Sequence, residues 1–166
     1  MRGERDLKTV FESDRIGFVE ISELFINDYL KMLNDYENVS IFFADAGRNY
    51  TAEDEIAWIR KKREEKADVF SMIEKKTGAF IGNIELMGVS DTERELGIVI
   101  TAEKQNTGYG TEAVCALVKY GFEKLGLKKI VLRTNPANGR AIHVYKKCGF
   151  TEYDRNDEHI FMELFR

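Results

Sequence analysis

The apolar positions of the chain change period several times, and each change marks an element. Residues 15–21 (RIGFVEI) are rich in strand formers, and Ser22 then stands as a helix N-cap before Leu24, Phe25, Tyr29, Leu30 and Leu33 at helical spacing. The pattern predicts a strand followed by a helix. Thr51-Ala-Glu-Asp54 has the form of a capping box, with Asp in place of the usual Glu, and opens a second helix through Ile56 and Ile59. The charge run over 60–66 reads as a solvated face of that helix. From Val69 the period becomes that of strands: residues 69–74 and 79–87 form a hairpin around the glycine-containing turn 75–78. Residues 95–101 make a third strand, whose uninterrupted Ile98, Val99 and Ile100 predict burial on both faces. A glycine-rich stretch leads into a long helix over 111–125 closed by Gly126, and then a strand over 129–134 turns the sheet parallel. Residues 135–139 are a turn cluster, 140–148 a short helix ended by Gly149, and 150–153 with 159–165 a closing pair of strands. The order is β α α β β β α β α β β. The fold class is α/β of the α+β kind, a mixed, mostly antiparallel central sheet flanked by about four helices.

Composition narrows the class. The chain has 166 residues without repeat, low-complexity tract or linker, so residues 1–166 are expected to form a single domain. A 43% hydrophobic and 33% charged composition with one proline belongs to a globular protein rather than a disordered one. No apolar run is long enough to span a bilayer, and no apolar segment follows the charged residues 1–6, so no membrane partner and a cytoplasmic location are expected. The net charge of -4 argues against general nucleic-acid binding and suits a cationic amine substrate. Cys115 and Cys148 are too few for a disulfide framework and lack the spacing of a zinc site; both read as packed thiols, and no metal is expected.

Candidate chemistry lies in the second half. Gln105, Asn106, Thr107, Gly108, Tyr109 and Gly110 stand between a strand and a helix start, where free amides and the positive end of the macrodipole converge. Glycines at 108 and 110 let the backbone approach a phosphate, so a pyrophosphate is one guest and a mere tight connection the other reading. The stretch also fits the dinucleotide pattern Gly108-x-Gly110-x-x-Ala113. That pattern wants an acidic residue at the end of the next strand, which here closes in Arg133, Thr134 and Asn135. Asn138, Ala141, Ile142 and Tyr145 fall at i, i+3, i+4 and i+7, one stripe of a helix. Taken alone, Asn138 reads as an N-cap and Tyr145 as a core residue.

Gln105-x-x-Gly-x-Gly110 followed by Asn138-x-x-Ala141-x-x-x-Tyr145-x-x-x-Gly149-Phe150 resembles the GNAT acetyltransferase superfamily, particularly its branch of ribosomal-protein-type and spermidine N-acetyltransferases. The resemblance covers about residues 95–150; the earlier half agrees in the arrangement of elements more than in residues. It implies the acyl-CoA N-acyltransferase fold, with the sheet splayed at two parallel strands, here 95–101 and 129–134, and acetyl-CoA as donor with no metal. By this resemblance the main chain of Ile98, Val99 and Ile100 pairs with the pantetheine arm. Gln105, Asn106, Thr107, Gly108, Tyr109, Gly110 and Thr111 wrap the pyrophosphate. An amide near Val99 stabilises the oxyanion. Asn138, Ala141 and Lys147 contact the cofactor, and Tyr145 is the general acid for the departing thiolate.

The implied reaction is direct attack of a primary amine, from a small molecule or a protein N-terminus. An alkylamine with a pKa near ~10 is mostly protonated at neutral pH, so a base or water relay is required. Glu95, at the start of the central strand, and Glu85, on its neighbour, are the candidates, ahead of His159; His143 lies off the stripe and reads as a surface histidine. Family members are often dimers, so a homodimer is the expected assembly. A non-catalytic acyl-CoA-binding or sensing module is the alternative function. The long connection 36–50, with Phe42, Phe43 and Asp45, is read as lining the acceptor pocket, against the alternative that both rings pack on the core.

Overall fold

The helices begin where the sequence supplies caps, and the computed structural model, which describes residues 7–166, shows how. Residues 1–6, on which the expectation of no export signal rests, lie outside the described part. Ser22 accepts from the Leu24 amide and starts a 3₁₀ turn over Glu23–Phe25, which runs on into α1 (Ile26–Leu33). The capping box forms with its aspartate. Thr51 Oγ1 accepts from the Asp54 amide at 3.3 Å, and Asp54 Oδ2 accepts from the Thr51 amide at 2.9 Å, opening α2 (Ala52–Glu64). The other helices are α3 (Tyr109–Glu123) and α4 (Gly139–Lys147). The strands are β1 (Thr9–Glu12), β2 (Ile16–Glu20), β3 (Asp68–Glu74), β4 (Phe80–Gly88), β5 (Glu93–Ile100), β6 (Lys129–Thr134), β7 (Thr151–Arg155) and β8 (Ile160–Phe165). They form one sheet in the order β1-β2-β3-β4-β5-β6-β8-β7, antiparallel throughout except between β5 and β6.

Alternation along the strands builds a core on each face. Phe18, Met72, Ile84, Leu86, Leu96 and Ile130 pack under α3 and α4, with Val114, Leu117 and Tyr145 coming from the helices. Val19 and Val69 face the other way, under Phe25 and Tyr29 at α1 and Ile59 of α2. Burying each such large side chain contributes roughly 1.5–3 kcal/mol.

Several expectations change. β1 was absent from the predicted order; its Phe11 stacks on Phe18 at 4.2 Å and on Tyr120 at 4.4 Å, so tertiary packing makes a strand of a short run with little pattern of its own. Leu24 is 56% exposed, because it lies in the 3₁₀ turn rather than on the buried stripe of α1. Cys115 is exposed on α3 although its thiol interacts with that of Cys148, and Cys148 is half-buried with its thiol donating to the Thr111 carbonyl at 3.4 Å. Ile98, Val99 and Ile100 are half-buried rather than buried on both faces. Among the described residues no helix is long and apolar enough to cross a membrane, and no cluster of His, Cys, Asp or Glu could hold a metal ion.

The half-burial of Ile98 to Ile100 follows from the register. The parallel ladder pairs Glu93 with Lys129, Arg94 with Ile130 and Glu95 with Val131, and stops. Beyond it β5 stays with β4 as far as Gly82 opposite Ile100, while β6 stays with β8 as far as Thr134 opposite Ile160. The sheet splits between them. β4 carries a register shift at Ile81, and a bulge of this kind bends its strand. At the adjacent Gly82 the backbones of β4 and β5 come so close that a Cβ would lie 2.0 Å from the Val99 carbonyl oxygen. The close β4–β5 approach at Gly82 and Ile100 thus lies beyond the point where β5 and β6 part. Gly82→Ala is therefore expected to destabilise the fold by about 2 kcal/mol or more, the scale of overpacking against backbone that cannot yield. A chemical denaturation midpoint equal to that of the parent would show that the close approach is dispensable.

Candidate active site

The split opens into a cleft of about 990 Å³. Ile98 and Ile100 point toward α3, Gly97 and Val99 toward α1 and α2, and all four line it, so the cleft passes through the sheet. Its backbone edge lacks the partners that β6 gives to residues 93–95. Polar main-chain groups in that position need water or a ligand.

At one wall stands the start of α3. Gly108 is its N-cap, in the left-handed region at φ +85°, and no side chain caps the helix. The first intrahelical bond there runs from the Glu112 amide to the Gly108 carbonyl, which leaves the amides of Tyr109, Gly110 and Thr111 free at the positive end of the macrodipole. Gly108, Gly110 and Thr111 line the cleft, with Gln105 and Asn106 before them. The Gln105 carboxamide is already used: it donates to the Asn38 carbonyl at 2.9 Å and the Ile100 carbonyl at 3.0 Å, tying the 36–50 connection to the end of β5. The side chains of Thr107 and Tyr109 turn away from the cleft, Thr107 Oγ1 donating to the Lys104 carbonyl at 2.8 Å and the Tyr109 hydroxyl to Glu74.

The opposite wall is α4. Asn138 caps it, Oδ1 accepting from the Ala141 amide at 3.2 Å, and also lines the cleft with Ala141, Tyr145 and Lys147. Ile142 does not belong to that lining, whereas Val144 and His143 do; His143 is exposed, as expected of a surface histidine, and stands at the cleft wall. The helix begins at Gly139 and its cleft-facing arc is wider than the predicted stripe. Tyr145 is 6% exposed, its ring edge-on to Phe150 at 6.1 Å, and burial pushes its hydroxyl up to about 12. That hydroxyl has no hydrogen bond within the described residues, and no fully buried polar side-chain atom among them is unpaired, so it opens to the cleft.

Glu85 and Glu95 are not brought to Tyr145. Both project from the α1/α2 side of the sheet, between the core positions Ile84, Leu86 and Leu96. Glu85 accepts from Lys62 Nζ of α2 at 2.6 Å, and Glu95 from Arg133 Nε of β6 at 3.1 Å; neither lines the cleft, although Arg133 does. Phe42, Phe43 and Ala44 of the long connection contribute to the lining, and Asp45 does not. Asp157, Glu158 and His159, from the turn between β7 and β8, complete it. Of these only His159 was considered from the sequence. An acidic pair in a hairpin turn carries no local signal that separates a cleft wall from solvent.

A family model described as an acetyltransferase (GNAT) domain matches residues 15–151. The chain belongs to the GNAT acetyltransferase family. The GNAT chain is 32% identical over 101 residues to the uncharacterized N-acetyltransferase YnaD of Bacillus subtilis, across 60% of this chain and 59% of that relative's length. It is 27% identical over 140 residues to the spermidine N(1)-acetyltransferase of Vibrio cholerae, covering 82% of this chain and 78% of the relative. Among solved structures, a GNAT-family acetyltransferase from Bacillus anthracis superposes with a TM-score of 0.81 at 19% identity, over 96% of this chain and 97% of that one. Spermidine N-acetyltransferase from Vibrio cholerae, in complex with CoA and spermine, gives 0.80 at 20% identity, over 92% and 96%. These two likenesses establish the fold.

Glu74 connects the GNAT sheet to the α3 loop. Its carboxylate accepts from the Thr77 hydroxyl, the Tyr109 hydroxyl and Lys104 Nζ, and these bonds hold its pKa down at about 2. A depressed folded pKa gives stability that is complete above the ordinary glutamate value of ~4.3 and is lost as the pH falls through the folded value. The stability difference between the parent and Glu74→Gln, followed by urea denaturation, should therefore shrink as the pH falls from about 5 to about 2.5. A difference that stays constant over that window would place the effect outside the carboxylate.

Proposed function

We propose that this chain transfers the acetyl group of acetyl-CoA to a primary amine of a cationic small molecule of the polyamine class. The observation that carries the reading is that one cleft joins the uncapped amides of α3, the unpaired inner edge of β5 and the free hydroxyl of Tyr145. These match the parts of the donor in order. A helix N-terminus without a side-chain cap suits a pyrophosphate, and an open strand edge suits an amide-bearing linear arm. The donor supplies a thioester carbonyl, and the chain's own groups do the rest.

The main chain of Ile98, Val99 and Ile100 orients the arm; the Val99 amide itself faces β4, so an amide next to it on the open edge, that of Ile98 or Ile100, donates to the oxygen where negative charge develops. With a pKa pushed up to about 12, Tyr145 stays protonated at neutral pH. Complete transfer of its proton to an ordinary thiolate, pKa ~8.5, runs more than about 10³-fold uphill. Tyr145 therefore acts by donating a hydrogen bond that stabilises charge on the departing sulfur, and the proton lost by the amine is the one that balances it. Glu95 and Glu85 are both ion-paired and outside the lining, so water in the cleft takes the amine's proton.

Support for a cationic acceptor comes from the remaining lining. Phe42 and Phe43 offer apolar surface to an alkyl chain, and Asp157 and Glu158 offer charge to a second ammonium. The relative from Vibrio cholerae named as a spermidine N(1)-acetyltransferase adds a precedent in a related chain.

Release of free thiol from acetyl-CoA, measured with spermidine, spermine, alkyl monoamines and peptides with free N-termini, tests the reading. Turnover should be highest with the polyamines. Preference for peptides would overturn the acceptor class, and tight CoA binding without release would leave a non-catalytic binding module. Tyr145→Phe should lower kcat by about 10²-fold while leaving both KM values within about threefold. A drop smaller than about threefold would remove Tyr145 from the chemistry. The Asp157→Asn, Glu158→Gln double variant should raise the KM for spermidine about tenfold and that for a monoamine far less, the signature of a lost charge contact rather than a lost fold.

A further inference from the structure

The helix that presents free amides to the cleft also carries a charge of the wrong sign. Glu112 lies in the first turn of α3, where a carboxylate is drawn to the same positive end that would hold a phosphate. Its oxygens are held from behind by the first hairpin. Ser13 Oγ and the Arg15 amide each donate to Oε1 at 2.7 Å, and Arg15 Nε donates to Oε2 at 2.7 Å.

The rest of the Arg15 side chain grips the loop before the helix. Nη1 donates to the Thr107 carbonyl at 3.1 Å, and the guanidinium lies 4.2 Å from the centre of the Tyr109 ring. Between those two residues is Gly108 at φ +85°, where a Cβ would come 3.2 Å from Arg15 Nη2. One planar group thus contacts the residues on both sides of the N-cap. Arg15 itself does not line the cleft, and its contacts leave the amides of Tyr109, Gly110 and Thr111 free.

We infer that Arg15 is a positioning residue for the acetyl donor: from behind the loop it withdraws Glu112 from the anion site and fixes the Thr107 carbonyl, so that the three free amides keep one arrangement for the pyrophosphate. The inference rests on the acetyl-CoA reading. Two effects are combined in Arg15, and they separate on mutation. Loss of the guanidinium frees the loop and also releases a carboxylate beside an incoming phosphate; lysine restores the charge but not the planar fork.

The test compares two donors, acetyl-CoA and S-acetylpantetheine, which has the same thioester and arm but no pyrophosphate. In Arg15→Ala the KM for acetyl-CoA should rise at least about tenfold more than the KM for S-acetylpantetheine, the size of a lost charge-assisted contact. Arg15→Lys should fall between parent and Arg15→Ala. Adding Glu112→Gln to Arg15→Ala should recover about threefold or more, because it removes the released charge. A purely structural role would raise both KM values alike and would gain nothing from the second substitution, and that result overturns the inference. Equal KM values for acetyl-CoA in parent and Arg15→Ala overturn it as well. If Arg15→Ala does not fold, Arg15→Lys decides by the same donor comparison. A parent chain that binds no CoA by calorimetry sinks the acetyl-CoA reading first and the inference with it, whereas a parent that binds CoA isolates the failure to Arg15.

Discussion

The parallel ladder between β5 and β6 is three residue pairs long, and the chemistry of the molecule depends on where it ends. A parallel pair is normally covered on both faces and hydrogen-bonded along its length. Here the pairing is given up after Glu95 and Val131, and five residues of β5 run on with β4 alone. Main-chain groups left without partners cost about 1–3 kcal/mol each when they are also shielded from water. The split stays affordable because the cleft is open and because both halves of the sheet are held by the core under α3 and α4, which takes Ile84 and Leu96 from one half and Ile130, Leu132 and Met162 from the other, while β6 is paired with β8 across six residue pairs. The same opening that would be a defect in a storage fold is a set of preformed hydrogen-bonding positions for a linear ligand.

The start of α3 adds a second constraint that reaches across the sequence. Arg15 and Glu112 are 97 residues apart, yet their contact joins the first hairpin to the loop on which an anion would rest. Glu74 does the same from the end of β3 through Tyr109 and Lys104. The loop is consequently held on its rear side by charged groups and left unpaired on its front. Removing a side-chain cap from a helix sacrifices roughly 1 kcal/mol, and α3 goes without one at the cleft although α4, which also starts at the cleft, keeps Asn138. α2 and α4 both retain theirs.

Much of this organisation is legible in the sequence because its signals are local. The Thr51 to Asp54 box, the turn at 75–78, the glycines at 108, 126 and 149 and the apolar alternation of the strands depend on neighbours within a few residues. What was not legible depends on partners far away. β1 is a strand because Phe11 meets Phe18 and Tyr120. Glu85 and Glu95 are ion-paired because Lys62 and Arg133 arrive from α2 and β6. Cys115 is exposed on a helix whose apolar arc is wide enough to make every position look covered. Within the glycine loop, spacing identified the free amides but not the direction of the Thr107 and Tyr109 side chains, which Lys104 and Glu74 determine.

The run Ile98-Val99-Ile100 shows why a correct pattern led to an incorrect burial. Apolar residues on both faces of a strand describe the centre of a covered sheet. They equally describe the wall of a cleft that pierces a sheet, since a ligand lying across the strand meets side chains of both faces. The two cases differ only in whether the neighbouring strand continues, and that is decided outside the run. In this chain β5 keeps its pairing on the other side, where Gly82 permits a backbone approach that no residue with a Cβ could allow. A glycine opposite the end of an all-apolar strand therefore carries information that the strand itself lacks: it marks the side on which the strand keeps its close partner.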